Sequence, residues 1–187
     1  MKAGGGKRKG SEWERQICKF LTKWAGGSLD NIIFWRSPGS GSFVTNKVSM
    51  DVSGDIVSIL PEGKFFTDII SCEAKTGYDE TDLFKHFKPN KNNIIEMFWE
   101  QCIKDSKIVN KYGMLIYKKK GYPSIVGIEE SFSTLLLKMK IQLPKYITVN
   151  FNNELPNMVL YDFEDFFNCV LPEHFKKIGK KLNKKKV

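Results

Sequence analysis

The run Ile69-Ile70-Ser71-Cys72-Glu73-Ala74-Lys75-Thr76-Gly77 constrains this chain most, because an apolar stretch ends in a carboxylate, a small residue and a lysine. On a strand, side chains two apart share a face, so Glu73 and Lys75 project together while Ala74 points away. The run just before it, Ser53-Gly54-Asp55-Ile56-Val57-Ser58-Ile59, is also strand-like and opens on Asp55. Paired through a turn at Pro61-Glu62-Gly63, the two strands bring Asp55 and Glu73 to one end of a sheet. Two carboxylates and a lysine at that point suit a hard divalent cation and a water nucleophile.

Glu-x-Lys by itself says little. Glu62-Gly63-Lys64 has the same form but lies in a turn, and Asp105-Ser106-Lys107 falls on a helical pattern, where i and i+2 do not share a face. An ordinary exposed ion pair is the plain reading of any such tripeptide. Only Glu73-Ala74-Lys75 ends an apolar strand with an acid on the strand before it.

Length and charge narrow the class. A chain of 187 residues with 41% hydrophobic and 13% aromatic side chains is long and apolar enough for one globular domain. It shows no signal-type segment and no apolar run of bilayer length, so a cytoplasmic protein without a membrane is expected. Cys18, Cys72, Cys102 and Cys169 are widely spaced, which argues for reduced thiols and against a zinc site or a disulfide framework. The net charge of +9 sits at the two ends. Lys2, Lys7, Arg8 and Lys9 lie within residues 1–10, and seven lysines lie within 176–187, leaving about −2 for everything between. Such arms bind phosphate backbones without reading sequence, or serve only as solvated tails.

Along the chain, 1–10 reads as a flexible basic arm. Ser11 and Glu14 form a capping box for a helix carrying Trp13, Ile17, Phe20, Leu21 and Trp24, which ends at Gly26-Gly27. Strands are expected at 31–36, 54–60 and 66–75, separated by a Ser/Gly/Pro loop and a weakly patterned, mobile segment to 50. A polar connection at 78–93 leads to a helix at 94–109. Strands at 113–117 and 124–128 follow about a Lys-Lys-Lys-Gly-Tyr-Pro turn. Beyond 129 the pattern predicts a short helix to about 140, a strand near 146–151, and helices at 161–170 and 172–182. The order αβββαβ implies an α/β fold with a mixed central sheet flanked by helices. Its core would span 11–128, with a C-terminal α/β extension at 129–175 packed on it and a basic tail at 176–187.

Asp55 followed by Glu73-Ala74-Lys75 resembles the PD-(D/E)XK nuclease superfamily, whose restriction-endonuclease-like core has this element order. Three further segments are similar to archaeal-type and phage Holliday junction resolvases: Gly10-Ser11-Glu12-Trp13-Glu14-Arg15, Arg36-Ser37-Pro38-Gly39-Ser40-Gly41, and Gly54-Asp55-Ile56. The likeness covers about residues 10–120. Gly54 stands where the superfamily's name places a proline, and Asp51 rivals Asp55 as the first acid. His86 and His174 are isolated, which disfavours a histidine-based nuclease.

The resemblance implies that Asp55 and Glu73 bind Mg2+ or Mn2+, with the Ala74 carbonyl as a third ligand and Glu14 adding a carboxylate unless it merely caps its helix. Lys75 would orient the attacking water or stabilise charge on the phosphate. Arg15, Arg36 and Ser40 would contact phosphates, joined by the basic Lys7, Arg8 and Lys9. Gln101 stands where related nucleases keep a polar active-site residue, although an exposed helical glutamine explains it equally well. The expected activity is metal-dependent cleavage of branched DNA, four-way junctions included, by a homodimer acting in the host cytoplasm if phage-encoded. The alternatives are a restriction, repair or replication nuclease acting on duplex or flapped DNA, an RNA-processing nuclease, and a non-catalytic DNA-binding protein.

Overall fold

The computed structural model describes residues 5–37, 54–77, 94–151 and 154–184. A five-stranded mixed sheet forms the centre, in the order β3 (Ile70–Thr76), β4 (Tyr112–Lys118), β5 (Ile125–Glu129), β7 (Met158–Asp162), β6 (Tyr146–Val149). β3 and β4 are parallel because α3 (Ile94–Ile108) lies on the crossover between them, whereas every later pair is antiparallel. The period-2 alternation then assigns each face. Cys72, Ala74, Met114, Ile116, Val126 and Ile128 face a core that also takes in α1 (Gly5–Trp24), α5 (Phe163–Cys169) and α6 (Pro172–Lys184). Leu115, Tyr117, Met158 and Leu160 face α3, whose Ile95, Phe98, Trp99, Cys102 and Ile103 follow helical spacing. The result is an α/β fold with helices on both faces of a mixed sheet.

Several local expectations change. Helix α1 begins at Gly5, so Ser11 lies inside it and caps nothing. β1 (Phe34–Arg36) and β2 (Ile56–Ser58) pair with each other as a separate two-stranded ribbon. No hairpin joins Asp55 to Glu73. Pro61 opens a 3-10 turn (Pro61–Gly63), and α2 (Lys64–Thr67) follows, with Phe66 fully buried among aromatic rings. That helical connection turns the chain so that Gly54 meets Cys72 through a parallel bridge. β7 also takes into the sheet Tyr161 and Asp162, which the pattern assigns to the start of a helix. The helix starts only at Phe163, where Asp162 caps it by accepting from the N–H groups of Glu164 (3.0 Å) and Asp165 (3.1 Å).

The chain after 129 therefore supplies β6 and β7 to the central sheet. It is tied back to α1 where Trp24 Nε1 donates to the carbonyls of Phe167 (3.1 Å) and Val170 (3.2 Å). α1 in turn pins β1, since Thr22 Oγ1 accepts from the N–H groups of Ile33 and Phe34, each at 3.2 Å.

Candidate active site

Glu73 and Lys75 stand on the α3 face of β3, in register with Leu115 and Tyr117. Glu73 is 5% exposed, and Lys75 Nζ lies 2.5 Å from its Oε1. The ammonium is also 5.5 Å from the centroid of the Phe98 ring, so α3 offers it a π face.

Asp55 arrives from outside the sheet edge. Its N–H donates to the Cys72 carbonyl (2.7 Å), and the Ala74 N–H donates to its Oδ2 (2.8 Å). This tight approach explains Gly54. The residue has φ +85°, and a Cβ there would lie 2.5 Å from the Cys72 carbonyl oxygen and 2.8 Å from its nitrogen. A proline, held near φ −65°, cannot take this conformation, so glycine precedes the acid.

Glu14 supplies a buried third carboxylate, 7% exposed, from α1. Its Oε2 accepts from Arg36 Nε at the end of β1. The neighbouring Ser37 N–H donates to the Asp55 carbonyl (2.8 Å), which links that pair to the first acid. Glu14 thus lies well inside a helix that begins at Gly5 and bonds across to β1.

Burial and crowding act on these charges together. Burial first, and the Glu73 charge second, push Asp55 up to about 7, against the opposing hydrogen bond from Ala74. Burial also raises Glu73, opposed by Lys75 and reinforced by the charges of Asp105 and Glu14. Beneath them the Cys18 thiol is pushed up to about 12, by burial and then by Glu14. Carboxylates that resist ionisation side by side, with hard oxygen donors turned together, fit a divalent cation. Among the described residues, no three His, Cys, Asp or Glu side chains lie close enough to hold an ion unaided. A set of Asp55, Glu73 and the Ala74 carbonyl, completed by water, meets the donor chemistry.

The other expected positions divide. Arg15 lies half-exposed and pairs with Glu12 one turn earlier (3.5 Å). Lys7, Arg8 and Lys9 belong to the opening turns of α1, with Arg8 and Lys9 exposed. Gln101 is exposed on α3, flanking the stripe that carries Phe98 and Asp105. Ser40, Asp51 and the segments 38–53 and 78–93 lie outside the described residues. Sequence reasoning passed over Asp105, whose charge bears on Glu73, and Phe98, which flanks Lys75. Their seven-residue spacing puts both on one stripe of α3, a signal that would have placed them over β3.

An α/β sheet with an Asp held against the strand that carries Glu-x-Lys defines the PD-(D/E)XK class of nucleases. The family described as "Phage putative PDDEXK endonuclease" matches residues 5–177, and the chain belongs to it. The match runs well past the 10–120 span that carries the short motifs, taking in β6, β7 and α5. No curated protein and no solved structure matches the chain.

Proposed function

We propose that this protein is a magnesium- or manganese-dependent endodeoxyribonuclease that hydrolyses phosphodiester bonds in branched DNA, four-way junctions included. It acts as a homodimer in the host cytoplasm. The observation that carries the reading is the Ala74 N–H bond to Asp55 Oδ2, beside the Glu73–Lys75 pair on the same strand. No helix of the described residues is long and apolar enough to cross a membrane.

When bound, the ion would acidify a water and neutralise charge on the phosphate. Asp55, Glu73 and the Ala74 carbonyl would hold it, with Glu14 adding a carboxylate to its shell. Lys75 is steadied by Glu73 and Phe98 and donates either to the attacking water or to the phosphate oxygen on which charge develops. Arg36, held by Glu14 at the end of β1, contacts a neighbouring phosphate, a task suited to a planar fork. Arg15, Ser40, Lys7, Arg8 and Lys9 take the flanking backbone. The preference for branched DNA rests on the motif likeness around Glu14-Arg15 and 36–41. Symmetric cuts then need two copies of the chain.

The test is cleavage of a labelled four-way junction beside matched duplex and flap, with magnesium, with EDTA, and by Glu73→Ala and Asp55→Asn proteins. Paired metal-dependent cuts in the junction alone, lost in both variants, are expected. Equal cutting of duplex would remove the branch preference and keep the nuclease. Tight binding with no cleavage in either metal would replace it with a DNA-binding protein.

A further inference from the structure

We propose that the β4–β5 turn, residues 118–123, is a second DNA-contacting element whose Tyr122 stacks on an unpaired base beside the cleaved strand. The proposal rests on the nuclease reading above and adds a source of selectivity to it.

Position is the first argument. Lys118 is the register partner of Thr76, and Thr76 Oγ1 donates to the Lys118 carbonyl (3.1 Å). The turn therefore leaves the sheet one strand spacing, about 4.8 Å, from the residue that follows Lys75. It also meets α1, because Lys118 Nζ lies 4.8 Å from the ring centroid of Trp13, the neighbour of Glu14. The Trp13–Glu14 turn of α1, the end of β3 and the start of the β4–β5 turn are thereby gathered at the catalytic end of the sheet.

Shape is the second argument. The Tyr122 N–H closes the turn on the Lys119 carbonyl (3.2 Å), and Gly121 takes φ +79° at its centre, where other residues are strained. Lys119 Nζ sits 5.0 Å from the Tyr122 ring centroid. At 64% exposure, Tyr122 is the most exposed aromatic side chain among the described residues. A tight turn that holds an aromatic ring out in water beside a lysine matches the chemistry of a single-stranded nucleic-acid platform. Lysines take phosphates without regard to sequence, while a ring gains only from a base face that is free to stack. Paired duplex hides those faces. A flap, a fork or a junction crossover exposes them, so Tyr122 favours DNA with unstacked bases.

The experiment measures binding by fluorescence anisotropy to blunt duplex and to the same duplex bearing a single-stranded flap, in an Asp55→Asn background with magnesium. Tyr122→Ala is expected to reduce the flap-over-duplex preference about tenfold, within the range known for one stacked base. Tyr122→Phe is expected to restore it, since the ring and not the hydroxyl stacks. A Lys119→Ala/Lys120→Ala protein should weaken both ligands alike and flatten the dependence on salt. An unchanged preference in Tyr122→Ala, with both DNAs still bound, would overturn the proposal and leave the nuclease reading standing. Failure of the parent protein to bind either DNA would overturn the nuclease reading, and this one with it.

Discussion

The edge of β3 and the layer beneath the sheet are built on opposite principles. Under the sheet, Trp24, Phe66, Phe167 and Phe175 pack ring against ring, with centroids 5.1 to 6.4 Å apart. Every contact there favours the fold. At the edge, Asp55, Glu73 and Glu14 crowd negative charge into a poorly hydrated place, and burial raises both Asp55 and Glu73. The aromatic layer, to which the C-terminal helices contribute, lets the molecule keep an edge whose buried charges oppose folding. Substitutions in the two regions are therefore expected to act differently on stability and on cleavage.

The largest effect is expected at the edge. Asp55→Asn and Glu73→Ala should each lower cleavage on the order of 10^3-fold or more. In EDTA, however, Asp55→Asn should melt a few degrees higher than the parent, because the buried charge is gone while Ala74 N–H keeps an acceptor. Calorimetry beside single-turnover cleavage measures both, and a lower melting temperature would sink the idea that this edge opposes folding.

The converse is Phe66→Ala, which should cost about 3–5 kcal/mol. In urea titrations its midpoint should fall sharply, while cleavage per folded molecule stays near the parent value. A cleavage loss larger than the unfolded fraction accounts for would mean that the two regions are coupled.

Gly54→Ala joins both regions. Forcing a Cβ against Cys72 at positive φ should cost about 1–3 kcal/mol. Because Asp55 would move with the backbone, cleavage should fall further than stability does. Equal loss in both would make Gly54 merely structural.

Tyr161→Phe should have the smallest effect. It removes the buried Ser133–Tyr161 hydroxyl contact (2.7 Å) far from Asp55, at about 1 kcal/mol, with cleavage unchanged.

Much of this was legible in the chain. The apolar run into Glu73 and Lys75 is a strand, the periodicity at 94–109 is a helix, and both follow from spacing alone. Where reading failed, it failed for identifiable reasons. Phe66 and Thr67 look like strand, but burying Phe66 among aromatic rings rewards a helical turn. Glu14 looks like a capping residue, but its partner is Arg36, twenty-two positions away.

The charged groups can be read from the chain alone: an acid before one strand, Glu-x-Lys on the next, and basic ends. Local propensity and period-2 patterning are short-range, so they are written in adjacent residues. How those groups meet depends on the folded molecule. It seated Asp55 on the edge of β3 through a glycine pressed against Cys72, and it laid Phe98 and Asp105 of α3 over the Glu73–Lys75 pair. Contacts between residues far apart in the chain depend on packing the whole core, and no local pattern encodes them.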